Sequence, residues 1–171
     1  MPRPLRRLAG HLTALAALAL LPAATLGAQD LGIPVGSAAP AAAVQTLDGK
    51  PANLDRWIGK TPVLIEFWAT WCPNCKALEP AMTAAARKYG GRVKFVAVAV
   101  SVNQSAERVR RHLASHPMPL EVVYDEDGNA TGAYDVPATS YVVVIDGAGK
   151  VVYTGLGSEQ DLEAALRKVA P

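Results

Sequence analysis

An α/β domain, with a central mixed β-sheet covered by helices on both faces, is the fold this sequence predicts, and three observations predict it. Apolar runs of strand length alternate with longer segments of helical spacing. Near the C-terminus two such runs flank Asp146-Gly147-Ala148-Gly149, a hairpin signal that adds antiparallel pairing to the sheet. Half of the 171 residues are hydrophobic and 19% are charged, enough for one sizeable core and unlike a disordered chain. The length suits one domain and a leader rather than two domains.

The chain opens Met-Pro-Arg-Pro-Leu-Arg-Arg and runs into an uncharged apolar stretch at residues 12–21, followed by Pro22 and small residues. This is the layout of a secretory signal peptide, residues 1–28, with cleavage after Ala28 leaving Gln29 first. An uncleaved N-terminal membrane anchor is the alternative, although the apolar core is short for a span and is interrupted by Pro22. Either way the domain is expected to be exported, to the periplasm. No cysteine follows the apolar run, which argues against a lipid anchor, and Arg6-Arg7 alone is a weak twin-arginine signal, so general secretion is expected. Arg3, Arg6 and Arg7 belong to this leader, which holds no Asp or Glu; subtracting three from 17 leaves 14 positive against 15 negative charges. The remainder is therefore near neutral, with no basic stripe of the kind that binds nucleic acid.

Residues 29–36, with Gly32, Pro34 and Gly36, lack an apolar period and read as a tether into a domain spanning residues 37–171. The turn signal Asp48-Gly49 makes residues 44–60 an N-terminal hairpin that brings the chain to its first buried strand. That strand covers residues 63–68, continuous in apolar character except for Glu66. A helix begins at the cysteine pair and runs to Tyr89, where Gly90-Gly91 ends it. Residues 93–100 form a second apolar strand. Residues 104–116 form a helix with Val109 and Leu113 four apart, closed by Pro117 and Pro119. A short strand at 120–124, a polar turn ending in Gly128 and a helical turn at 130–134 follow. The hairpin strands are 139–145 and 151–154, and Ser158 is the expected cap of a last helix ending near Ala170.

The chain has two cysteines, in Trp71-Cys72-Pro73-Asn74-Cys75-Lys76, where a buried strand passes into a helix. A thiol at a helix N-terminus meets the positive end of the dipole and free N–H groups, so its thiolate, the attacking form, is favoured. With two residues between them, Cys75 lies one helical turn in, within reach of Cys72. Cys72 is expected to attack and Cys75 to resolve the mixed disulfide. A purely structural bridge would close too small a loop to restrict the unfolded chain much. Covalent haem attachment requires a histidine after the pair, where Lys76 stands. A metal site joining the pair to His112 and His116 is a further reading, at a spacing far longer than that of a zinc finger.

The segment Glu66-Phe67-Trp68-Ala69-Thr70-Trp71-Cys72-Pro73-Asn74-Cys75-Lys76, with Pro80 five residues after the second cysteine, resembles the active-site segment of thioredoxins. The leader, the Gly36 to Gly49 opening, the Gly59-Lys60 approach and the long interval from Cys75 to Val136-Pro137-Ala138-Thr139 are similar to the exported TlpA-like or redoxin branch. The resemblance implies a thioredoxin fold with an αβ insertion, the helix and strand between Gln104 and Tyr124. It implies that Pro137 is a cis-proline against the cysteine pair, and that Val136 offers backbone groups to an extended substrate segment. It implies that Trp71 lies beside the thiols at the surface, with Pro73 on the same substrate-facing rim, whereas Trp68 is expected to serve packing. Glu66 falls where thioredoxins carry a buried acid that moves protons for the second thiol. Glu79 is displaced by one from a glutamate common in the TlpA-like branch, where this chain has Leu78, and is expected on a solvated helix face.

Three functions follow. The first is a thiol-disulfide oxidoreductase exchanging the Cys72–Cys75 pair with cysteines of exported proteins, in the direction of a reductase, re-reduced by a membrane electron donor, with cytochrome c maturation as a setting. No cofactor is expected. The second is a thiol-based metal-binding or metallochaperone module on the same fold. A peroxidase ranks last, because no peroxidatic cysteine exists outside the pair.

Overall fold

The structure, a computed structural model, describes residues 31–171. The expected signal peptide, its cleavage after Ala28 and the membrane-anchor alternative lie outside the described residues. Among the described residues no helix is long and apolar enough to cross a membrane.

A hairpin of β1 (Ala43–Thr46) and β2 (Pro51–Asn53) leads through a 3-10 turn at Leu54–Arg56 to β3 (Val63–Trp68). There follow α1 (Pro73–Tyr89), β4 (Lys94–Val100), α2 (Ala106–Ser115), β5 (Glu121–Asp125) and α3 (Asn129–Ala133). The hairpin β6 (Tyr141–Ile145) and β7 (Val151–Leu156) and then α4 (Leu162–Arg167) complete the chain. The sheet order is β2-β1-β5-β4-β3-β6-β7, with β3, β4 and β5 parallel and every other neighbour antiparallel. This is the mixed α/β sheet that the sequence predicts, with the expected helix and strand inserted as α2 and β5.

β3 lies between β4 and β6, so both its edges are paired. Its alternate residues face opposite ways. Leu64 packs with Leu78, Met82, Val142, Val144, Leu162 and Leu166 beneath α1 and α4. Val63, Ile65 and Phe67 join the larger cluster on the other face, where the Phe67 ring lies 5.5 Å from that of Tyr134, which follows α3. Helices thus cover both faces. Asp125 ends β5 as a buried carboxylate that accepts from the Ala130 and Thr131 amides and the Thr131 hydroxyl, fixing the start of α3.

Two boundaries differ from expectation. Residues 31–36 are not a free tether. Ile33 is buried in the larger cluster, its amide donates to Tyr134 O, and the Gly36 amide donates to Val151 O. Gly32, at φ 89°, leaves room for the Tyr141 ring where a Cβ would clash. A short apolar segment broken by Gly32, Pro34 and Gly36 has no sustained periodicity, so its anchoring role is invisible to pattern reading. At the other end Asp161, not Ser158, caps the last helix by accepting from the Ala164 amide. Residues 157–160 are held outside the helix, because the Gln160 side chain donates to Ser140 O and Gly157 O.

Candidate functional site around Cys72 and Cys75

Cys72 and Cys75 are joined in a disulfide at the start of α1, with Cα atoms 5.3 Å apart. Cys72 is the N-cap residue. Its backbone is extended and its Sγ accepts from the Cys75 amide at 3.0 Å, while Pro73 fills the first helical position, where a missing N–H costs nothing. Seventeen helical residues stand behind this sulfur, so negative charge on it is favoured by both the dipole and the amide. The loop carrying it is held from the far side. Gln104 accepts from the Thr70 amide at 2.9 Å, donates to Val100 O at 2.6 Å, and accepts from the Tyr124 hydroxyl through its own carbonyl.

Both sulfurs are buried, and the exposed surface beside them belongs to Trp71, Pro73 and Asn74. Trp71 is 41% exposed, and its indole N–H donates to Val102 O, which keeps the ring flat over the rim. Val102, also exposed, extends this apolar edge. Trp68 is 3% exposed and serves packing.

Beneath the pair lies a cavity of about 400 Å³, bordered by Cys72, Cys75, Glu66, Glu79, Trp68, His112 and Met118 among others. Glu66 is 2% exposed and pairs across β3 with Ala97 and Val142, both apolar. Burial and, secondarily, the negative charge of Glu79 push its carboxyl up to about 8, so it holds its proton at neutral pH. Glu79 itself is half-buried and borders the cavity instead of lying on a solvated helix face. The one-residue displacement that made it look peripheral still leaves it on the turn of α1 above Glu66.

The Val136–Pro137 bond is trans, not cis. Neither residue borders the cavity, Pro137 is exposed, and the Val136 amide donates to Thr131 O at 3.0 Å. Just before β6, Ser140 takes φ 64° and its amide donates to Phe67 O. Missed in the sequence were Gln104, Thr70, Val102 and Met118. All four lie in loops, Val102 and Gln104 before α2 and Met118 after it, and nothing in their spacing marks them. His112 and His116, candidate metal ligands from the sequence, both border the cavity.

Residues 34–169 match the family model described as Redoxin. Over 145 residues the chain is 29% identical to a thioredoxin-like protein YneN of Bacillus subtilis, covering 83% of this chain and 84% of that protein. It is 31% identical over 138 residues to the thiol-disulfide oxidoreductase ResA of the same organism, covering 80% and 76% of the two chains. Among solved structures, one described as a thiol:disulfide interchange protein DsbE from Chlorobium tepidum superposes with a TM-score of 0.68 at 27% identity, over 80% of this chain and 94% of the other.

Proposed function

The chain belongs to the redoxin family of thioredoxin-fold proteins and is a protein-disulfide oxidoreductase, and from that premise we propose that its Cys72–Cys75 pair reduces disulfides of exported proteins. The observation that carries the reading is the position of the pair, at a helix N-terminus above a buried carboxyl that titrates near neutrality. In the reduced protein the Cys72 thiolate attacks a substrate disulfide, forming a mixed disulfide and releasing one substrate thiolate. Cys75 gives its proton to Glu66 in its ionised form, the minor form at neutral pH, as its sulfur attacks Cys72. The second substrate sulfur then leaves, and two electrons have passed to the substrate. Trp71 and Pro73, with Val102 beside them, provide the apolar rim on which the substrate chain rests. Val136 and Pro137 are more remote contacts on this reading, since neither borders the cavity.

The apolar leader supports export to the periplasm, as a cleaved or a membrane-anchored form. The resemblance to TlpA-like proteins supports a membrane donor that re-reduces the pair, with cytochrome c maturation as a setting. A metal-binding module gains no support from relatives named as thiol-disulfide oxidoreductases.

The test is the direction and stoichiometry of exchange. Reduced protein mixed with a disulfide-bearing model protein should lose two thiols per chain, and faster than oxidised protein oxidises a model dithiol. Exchange that is faster in the oxidising direction would replace the reductase reading by that of an oxidant.

A further inference from the structure

Two histidines that the exchange steps above do not use border the cavity beside the disulfide. His112 and His116 lie four apart at the end of α2, their rings stacked 4.6 Å apart and 11° from parallel. The His112 ring is half-buried and sits 5.9 Å from the ring of Trp68, while His116 is exposed. Both border the cavity that Glu66, Cys75 and Glu79 share. Titratable groups therefore run from a carboxyl under the sulfurs to an imidazole at the surface.

The surroundings of His112 keep it unprotonated, so a proton it takes up is passed on and not held. From its own helix, His116 and Arg108 add to the effect of burial and lower its pKa, and Arg111 lies on the same groove; from α1, Glu79 acts the other way, and Lys76 borders the cavity. From β3 it faces Glu66 and Trp68. His112 is thus neutral at neutral pH, whereas Glu66 is protonated. Glu79 borders the same cavity and acts electrostatically on both of them, raising each. The cavity wall is also polar enough to hold water: Trp68 Nε1 and Thr70 Oγ1 are buried with no hydrogen-bond partner among the described residues.

We propose that His112 carries protons between the Glu66 carboxyl and solvent, with Glu79 alongside the path and His116 as the outermost group. The inference rests on the exchange reading. Glu66 rests protonated at neutral pH, so that proton must leave before the carboxyl can take the one from Cys75 in each resolution. His112 accepts it across the cavity, directly or through water, and returns it to solvent; no electron moves in this step. His112 therefore acts through Glu66 and touches neither sulfur.

The experiment is stopped-flow turnover of the whole chain with a model disulfide from pH 6 to 9, in dilute buffer without imidazole. His112→Gln should slow the resolution phase by at least about tenfold, short of the ~10²-fold effect of losing a direct general base, with attack by Cys72 unchanged. Added imidazole should restore the rate, while wild-type resolution stays independent of buffer concentration. His116→Gln should have a smaller effect of the same kind. Resolution untouched by His112→Gln overturns the proposal, as does slowing that imidazole does not relieve and that affects attack equally, which is a structural effect. Wild-type protein that forms no mixed disulfide at Cys72 overturns the exchange reading instead, whatever His112 does.

Discussion

Replacing Cys75 by serine is expected to leave the protein covalently attached to its partners through Cys72. The helix N-cap and the Cys75 amide favour charge on the Cys72 sulfur, and both are backbone features that the substitution preserves. Attack therefore proceeds, whereas the sulfur that would break the mixed disulfide is gone. In cells, Cys75→Ser should accumulate adducts that collapse on addition of reductant, visible as slow-migrating bands on non-reducing gels. Cys72→Ser should form none, because Cys75 lies one turn inside α1 and lacks the N-cap position. Equal trapping by both variants would assign the attack to either sulfur and remove the asymmetry on which the mechanism depends.

Glu66→Gln is expected to change both stability and kinetics, and the two effects share one cause. A carboxyl that titrates at about 8 in the fold, against 4.5 as its ordinary value, stays protonated where the unfolded chain has released the proton. Below about pH 4.5 both states are neutral and the fold pays nothing. Between there and pH 8 the unfolded state binds fewer protons, so stability falls as pH rises and levels off above 8. At ~1.4 kcal/mol per tenfold change the total loss is roughly 5 kcal/mol, an order-of-magnitude figure. Glutamine cannot ionise, so the oxidised variant should lose most of this slope and be more stable than wild type by several kcal/mol at pH 9, as measured by urea denaturation. The kinetic consequence has the opposite sign. With no base under Cys75, resolution should slow by roughly a hundredfold, the low end for a positioned general base, with attack unchanged. A variant that gains stability but resolves at the wild-type rate would leave Glu66 as a strained core residue with no part in exchange.

The order of elements and the position of the cysteine pair were legible because they rest on local signals. Apolar runs, the Asp146–Gly149 turn and Gly90-Gly91 each act within a few residues, and the structure places strands and helices where they indicate. Glu66 was legible for a related reason: a carboxyl inside a strand of Ile65, Phe67 and Trp68 has no exposed edge to occupy, and β3 is indeed paired on both sides. What was not legible depends on contacts between distant segments. Ile33 finds its seat against residues about a hundred positions later, beside the Tyr134 carbonyl. Gln104 reaches back 34 residues to hold the Thr70 amide. The cis bond expected at Pro137 came from resemblance alone, and the bond is trans.

His112 and His116 show the same limit from the other direction. Their spacing placed both on one helix face, but whether that face met solvent, a metal or the cysteine cavity depended on how α2 packs. The ring contact with Trp68 decides for the cavity.

The central claim, that Cys72 and Cys75 form a pair that exchanges electrons and not a fixed bridge, is tested most directly by equilibrating the purified protein with glutathione buffers and counting protein thiols. The account predicts a reversible two-electron transition, with a potential nearer the roughly −270 mV of a thioredoxin-type reductase than the roughly −120 mV of a strong oxidant. A pair that stays oxidised at every glutathione ratio, with a potential well below about −300 mV, would be a structural disulfide and would contradict it.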